Sequence, residues 1–105
     1  MSDKVKNKEQ IIALLIQSEV VLKQYGVTDI GLFGSFTRNE QNNNSDIDFL
    51  VEFDINKKTF RNFIGLAFYL EEILGRKVEI ITPQSISPYL KPHIMKEVEY
   101  VAFLH

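Results

Sequence analysis

Two aspartates separated by one residue stand out in an otherwise apolar stretch of this sequence. Asp46 and Asp48 begin the segment DIDFLVEF, whose alternating pattern predicts a β-strand over residues 46–53. Because side chains alternate along a strand, both carboxylates lie on one face, about 6.6 Å apart. Two like charges at this distance repel each other by roughly 2.5 kcal/mol at an effective dielectric near 20. A cation between them removes that repulsion, so the pair suits Mg²⁺ or Mn²⁺, which prefer oxygen ligands.

A third carboxylate occurs in another predicted strand, residues 77–82. Glu79 is flanked there by Val78 and Ile80, so it is an acidic residue inside an otherwise apolar segment. Plain solvent exposure is the simpler explanation for Glu79, and an Asp-x-Asp pair is also common on solvated edge strands. Taken together, Asp46, Asp48 and Glu79 form a candidate catalytic and metal-binding group.

A short turn upstream of the aspartates is suited to bind a phosphate. Gly34 has no Cβ, so a phosphate can approach its backbone closely, and Ser35 offers a hydroxyl and an N–H group. If one helical turn follows over residues 36–39, its free N–H groups face an anion at this position. Arg38 would lie on the same side and could donate two hydrogen bonds to a phosphate. A plain strand-to-helix turn is the alternative for this Gly-Ser pair.

The combination of turn and carboxylates is more informative than either part. Ten residues separate Ser35 from Asp46. A phosphate-binding turn beside carboxylates that hold two metal ions is suited to phosphoryl or nucleotidyl transfer. The metals orient a triphosphate and stabilise both the attacking and the leaving oxygen.

The periodicity of the remaining sequence predicts the elements that position these residues. Helices are predicted over residues 6–25, 59–74 and 92–99, with Thr59 as an N-cap and with Gly26 and Gly75 ending the first two. Strands are predicted over residues 27–33, 46–53 and 77–82. The order α-β-β-α-β-α indicates an α/β (α+β) fold, in which helices pack on one face of a small sheet.

Composition limits the class of protein. A chain of 105 residues is most simply one domain, over residues 1–105, and its 45% hydrophobic residues can bury a core. The net charge of -2 argues against direct nucleic-acid binding, and the absence of cysteine excludes thiol chemistry. The longest apolar run, residues 11–16, is far short of the roughly 20 residues that a membrane helix needs. The charged N-terminus lacks a signal-peptide core, so we expect a soluble, cytoplasmic protein without membrane contact.

The spacing of the candidate residues resembles a known signature. Gly34-Ser35, ten residues and then Asp46-Ile47-Asp48 is similar to the motif of the DNA polymerase beta nucleotidyltransferase superfamily. The short length and the order of elements resemble its minimal branch (MNT), the MntA-type antitoxins. The resemblance extends from about residue 22 to the tail SISPYLKPHIMKEVEYV. It implies a nucleotidyltransferase fold with a mixed sheet.

The resemblance also implies roles for the matching residues. Gly34 and Ser35 would hold the β- and γ-phosphates of ATP, and Arg38 matches an arginine that commonly follows the Gly-Ser pair. Asp46 and Asp48 would bind two Mg²⁺ ions. The candidates for catalysis and metal binding are Asp46, Asp48 and Glu79. The candidates for nucleotide binding are Gly34, Ser35 and Arg38.

Three positions depart from the pattern of the family. Glu79 stands where an aspartate usually helps to hold the catalytic metal and to activate the acceptor hydroxyl. Thr37 and Asn39 stand where small residues are usual. Asn39 can still end the short turn, because asparagine tolerates the left-handed backbone conformation.

The function that the resemblance implies is transfer of AMP from ATP to a tyrosine of a HEPN-domain RNase toxin. This chain would be the antitoxin, with the toxin as its partner and with homo- or hetero-oligomers as possible assemblies. Two alternatives stay open: a weak or inactive module that neutralises the toxin by binding, and a nuclease built on the three carboxylates. Phe103 and Leu104 are candidates for a partner surface.

Overall fold

The computed structural model describes residues 4–103, which form four helices and four strands. The helices are α1 Lys8–Gln17, α2 Glu19–Gln24, α3 Phe60–Leu74 and α4 Lys91–Glu97. The strands are β1 Val27–Phe33, β2 Ile47–Phe53, β3 Val78–Ile81 and β4 Glu99–Tyr100, and a 3₁₀ turn, Pro83–Ser85, follows β3. Leu104, one of the two candidates for a partner surface, lies outside the described residues.

The strands form one mixed sheet in the order β3-β2-β1-β4. β1 runs antiparallel to β2 and to β4, whereas β3 runs parallel to β2. Parallel neighbours need a crossover connection, and α3 supplies it between β2 and β3. The predicted mixed α/β fold is therefore confirmed.

The core lies between one face of the sheet and helices α1, α2 and α3. Its completely buried residues include Ile11, Leu15, Leu22, Ile30, Leu32, Ile47, Phe49, Val51, Leu66, Leu70 and Leu74. On β2 the core residues alternate with Asp48 and Leu50, as the period of a strand requires. Asp48 therefore projects from the face of the sheet opposite to the core.

The predicted helix over residues 6–25 is divided at Ser18, so the prediction of one continuous helix was wrong. Ser18 is buried with φ -96° and ψ 11°, and its hydroxyl accepts a hydrogen bond of 3.0 Å from the Tyr69 hydroxyl of α3. A serine held in this way by a tertiary contact interrupts the helix. Hydrophobic periodicity does not report such a polar contact between residues 51 positions apart.

The predicted caps of α3 and the predicted ends of two helices are confirmed. Thr59 accepts a hydrogen bond of 3.1 Å from the Asn62 N–H, and Gly75 ends α3 with φ 68°. Gly26 follows α2 with φ 91°. Both glycines adopt the left-handed conformation that usually ends a helix.

The C-terminal segment lies against the face of the sheet that carries Asp48. A Cβ placed on Gly31 of β1 would lie 2.5 Å from Val98 Cγ2, so Val98 covers Gly31 on this face. The predicted helix over residues 92–99 ends earlier, at Glu97, because the chain continues into β4, which pairs with β1. Within residues 4–103, no helix is both long enough and apolar enough to cross a bilayer.

Candidate functional site

Strands β2 and β3 bring two of the predicted carboxylates side by side. The parallel register pairs Asp48 with Glu79, so both side chains project from the same face of the sheet. Asp46 lies one residue before β2 and is close enough for its charge to act on Asp48. The three predicted carboxylates therefore occupy one side of the sheet.

Asp48 has a strongly perturbed acidity. Several causes together raise the pKa of Asp48 from 3.8 to about 6, and the largest is burial, which disfavours its charged form. The negative charge of Glu79 and a hydrogen bond with it contribute next, followed by the charges of Asp46 and Glu97. This concentration of negative charge favours a cation beside Asp48.

Gly34 lies directly against Asp48. Its φ is 82°, and a Cβ at this position would lie 2.2 Å from Asp48 Oδ2. The backbone conformation and the lack of space both require glycine. The preceding residue, Phe33, is the register partner of Asp48 across β1 and β2. The Gly-Ser turn and the carboxylate strand therefore meet at one point.

The turn after Gly34 is closed by hydrogen bonds to the carbonyls of Gly34 and Ser35, the latter from the Glu40 N–H at 2.9 Å. The N–H groups of Thr37 and Arg38 donate to Gly34 O at 3.1 and 3.3 Å, and the Thr37 hydroxyl donates to it at 2.9 Å. Asn39 has φ 60°, the left-handed conformation that we predicted for it. The Ser35 N–H and hydroxyl donate to no acceptor within residues 4–103 and are open to a ligand. Thr37 and Asn39 thus stabilise the turn, although they depart from the family pattern.

Arg38 contacts two carboxylates. Its Nε donates to Glu40 Oε1 at 2.7 Å, and its Nη1 donates to Glu97 Oε1 of α4. The hydrogen bonds that Arg38 donates to Glu40 and then to Glu97 raise the pKa of Arg38. To bind a phosphate through Nε and Nη1, Arg38 has to exchange these partners for phosphate oxygens. Glu97 was missed in the sequence because it lies 59 positions away from Arg38.

A cavity of about 410 Å³ opens beside Asp48 and Glu79. Most of its walls are apolar, and the remaining lining residues are Phe33, Ile81, Ser85, Ile86, Ser87, Leu90 and Ile94. Its volume lies in the range of pockets that bind small molecules. This cavity was not predictable from the sequence, because most of its wall comes from the segment that follows β3.

The carboxylates do not form a complete metal site by themselves. Within the described residues, no group of three or more acidic or histidine side chains is placed to hold a metal ion. Mg²⁺, however, usually binds one or two carboxylates together with substrate phosphates. Asp46 and Asp48 fit that requirement, since they lie on the side of the sheet where the Gly34 turn meets β2. A metal here would therefore be held jointly by protein and nucleotide.

The mixed sheet and the Gly34 turn against Asp48 agree with the nucleotidyltransferase fold that the resemblance implies. The chain belongs to this family, because the family model described as "Nucleotidyltransferase domain" matches residues 15–101. It is similar to "Putative protein adenylyltransferase MJ1379" of Methanocaldococcus jannaschii, with 44% identity over 100 residues, 92% of this chain and 100% of the relative. It is also similar to "Protein adenylyltransferase MntA" of Thermococcus cleftensis, with 35% identity over 94 residues, 89% and 94% of the two chains. The predicted resemblance to MntA-type minimal nucleotidyltransferases is confirmed.

Solved structures share this fold. The "Structure of putative minimal nucleotidyltransferase" has a TM-score of 0.79 and 26% identity, covering 92% of this chain and 98% of the other. An MNT antitoxin in complex with a tri-AMPylated HEPN toxin of Shewanella oneidensis has a TM-score of 0.60 and 20% identity. That match covers 88% of this chain and 72% of the other, and at this identity it shows the fold alone.

Proposed function

We propose that this chain transfers AMP from ATP to a tyrosine of a HEPN-domain toxin and thereby acts as its antitoxin. The observation that carries the proposal is the contact of Gly34 with Asp48, which joins a phosphate-binding turn to the carboxylate strand. The relatives named protein adenylyltransferases support the reaction class. The neighbour in which an MNT antitoxin accompanies an AMPylated HEPN toxin supports the kind of partner.

The Gly-Ser turn would bind the β- and γ-phosphates, which leave as pyrophosphate. Gly34 allows close approach of the β- and γ-phosphates, and the Ser35 N–H and hydroxyl are free to donate to them. Arg38 would add charge-assisted hydrogen bonds after it leaves Glu97. Two Mg²⁺ ions bound by Asp46, Asp48 and the phosphates, with Glu79 near the second ion, would neutralise the charge of the triphosphate.

The acceptor would enter through the cavity beside Asp48. Its apolar walls suit an aromatic ring, and Asp48 and Glu79 line the same cavity. Glu79 would accept the proton of the tyrosine hydroxyl while the oxygen attacks the α-phosphorus. The bond from the α-phosphorus to the bridging oxygen then breaks, and pyrophosphate leaves from the Gly-Ser turn.

A protein acceptor fits the surroundings of the cavity better than a free small molecule. Leu90 lines the cavity and is 56% exposed, and the neighbouring Tyr89 is 88% exposed. Exposed apolar residues continuous with a reaction cavity are suited to contact with another protein. The reaction would take place in the cytoplasm, where ATP and the toxin are both present.

The test is incubation of the purified chain with radiolabelled ATP, Mg²⁺ and its cognate HEPN-domain toxin. We expect label on the toxin, loss of label with the Asp46→Asn/Asp48→Asn variant, and loss with a toxin in which the acceptor tyrosine is phenylalanine. An unlabelled toxin, or a label that survives the double substitution, contradicts the proposal.

Neutralisation by binding alone is the second candidate function. It is favoured by the contacts of Arg38, whose Nε and Nη1 already donate to Glu40 and Glu97 in the absence of a phosphate. The Asp46→Ala/Asp48→Ala variant separates the two candidates, because a binding module neutralises the toxin in cells without the carboxylates. The nuclease alternative has no support from the comparisons, since the chain belongs to the nucleotidyltransferases.

A further inference from the structure

A buried arginine lies beneath the loop that connects the two halves of the site. Arg76 is 6% exposed, and burial lowers its pKa. Within residues 4–103 it forms no ion pair with a carboxylate. Its Nε donates instead to Val5 O at 2.8 Å, and its Nη1 donates to Asn42 O at 2.9 Å and Ser45 O at 2.8 Å. These three bonds join Arg76 to the backbone of two segments that are far from it in the sequence.

The contacts of Arg76 reach both ends of the ten-residue spacer. Its guanidinium lies over the ring of Phe36, 4.9 Å from the ring centre, and Phe36 directly follows Ser35. Ser45, whose carbonyl accepts a hydrogen bond from Arg76, directly precedes Asp46. One side chain therefore touches the residue next to each half of the site.

The backbone of Lys77, the residue after Arg76, binds the residue that follows Asp46. The carbonyl of Lys77 accepts a hydrogen bond of 3.0 Å from the Ile47 N–H. Asp46 thus lies between two anchored neighbours, Ser45 and Ile47, and both anchors come from residues 76–77. Its own side chain stays exposed and free to bind a ligand.

The spacer has few other links to the core. Residues 42–44 are exposed asparagines, which carry no apolar side chain to pack. Several of their hydrogen bonds are local, such as those from the Asn42 N–H to Ser45 Oγ and from the Asn44 N–H to Asn42 Oδ1, both 2.8 Å. Other links of this part of the spacer go to exposed residues of the N-terminal segment, where Lys4 Nζ donates to Asn43 O and Lys6 O accepts from Gln41 Nε2 at 3.0 Å. A planar guanidinium can donate to several carbonyls and stack on a ring at the same time, which a lysine ammonium cannot.

We infer that Arg76 is a positioning residue that fixes the Gly34-Ser35 turn relative to Asp46. The inference deepens the proposed function, because this distance determines whether the phosphates and the metal-binding carboxylates meet the same nucleotide. Geometry of this kind has a large effect on catalysis, since small displacements of reacting groups lower rates steeply.

Arg76→Met and Arg76→Lys test the inference by backbone amide hydrogen exchange. Both variants are expected to exchange about tenfold faster at the amides of Glu40 and Ser45, which are hydrogen-bonded within the turn and the spacer. Arg76→Lys is the decisive variant, because it keeps the positive charge but loses the planar guanidinium, which donates to several carbonyls and stacks on the ring of Phe36. Leu70→Ala, a core substitution in α3, is the control for a general loss of stability and should leave these two amides at wild-type rates.

The dissociation constant of MgATP, measured by calorimetry, supplies the functional readout. It is expected to rise about tenfold in Arg76→Lys and to stay unchanged in Leu70→Ala. Wild-type exchange at Glu40 and Ser45 in Arg76→Lys, or an equal effect of Leu70→Ala, overturns the inference. If the wild type binds no MgATP, the proposed function fails, whereas the exchange rates still decide the role of Arg76.

Discussion

Replacement of Asp48 by asparagine is expected to stabilise the protein at neutral pH, although it removes a central residue of the proposed site. The pKa of Asp48 is raised from 3.8 to about 6, first by burial and then by Glu79, Asp46 and Glu97. A carboxyl whose pKa is raised by folding binds its proton more tightly in the folded state than in the unfolded chain. Asp48 therefore lowers the free energy of unfolding as the pH rises from about 4 to about 6, and the loss is complete above that range.

The magnitude follows from the size of the pKa change. The difference between 3.8 and about 6 corresponds to about 3 kcal/mol if it is fully expressed in the unfolding equilibrium. Asp48 is only half-buried, so solvent screens the effect, and we expect about 1 kcal/mol. Asparagine has nearly the same shape as aspartate, so the substitution leaves no cavity.

Urea unfolding without divalent ions measures this effect. The two pH values, about 3.5 and about 8, lie below and above the range over which the ionisation of Asp48 lowers the free energy of unfolding. Asp48→Asn should match the wild type at the lower pH and exceed its stability at the higher pH. Asp29→Asn, at an exposed position in β1, is the matched control and should show no such gain. Adding Mg²⁺ at the higher pH should stabilise the wild type more than Asp48→Asn. An Asp48→Asn protein that is less stable than the wild type at pH about 8 would refute the reasoning.

Three further substitutions test other contacts of the structure. Gly34→Ala should lower the free energy of unfolding by about 1–3 kcal/mol, because φ is 82° and a Cβ meets Asp48 Oδ2; wild-type stability in urea would contradict this geometry. Glu97→Gln should free Arg38 and tighten MgATP binding by up to about fivefold in calorimetry, whereas weaker binding would mean that Glu97 holds Arg38 in its productive position. Tyr69→Phe removes the hydrogen bond to Ser18 and should lower the free energy of unfolding by about 1 kcal/mol; an unchanged urea midpoint would show that this bond is not stabilising.

The elements that follow from local patterns were predictable from the sequence. β1, β2 and α3 have clear apolar periods, and Thr59 and Gly75 are local signals for the ends of α3. The interruption at Ser18 was not predictable, because it depends on a hydroxyl of a distant helix. β4 was missed because two residues are too short to display the alternation of a strand.

The part of the candidate site that depends on the spacing of residues along the chain was predictable from the sequence. The strand period and the Gly-Ser turn pointed to Gly34 and Asp48, which the structure places in contact. Arg76 and Glu97 gave no local signal, because an arginine under a loop and a glutamate in a helix look like ordinary surface charges in a sequence. Only the tertiary structure shows that both touch the residues around the site.

The turn and the carboxylates are proposed to form one site for nucleotidyl transfer. The most direct test compares α-labelled with γ-labelled ATP in reactions that contain this chain, Mg²⁺ and its cognate HEPN-domain toxin. We expect that the α-label appears on the toxin, that the γ-label leaves as pyrophosphate, and that both depend on Asp48. Transfer of the γ-label to the toxin, or neutralisation of the toxin without any label, would contradict the claim.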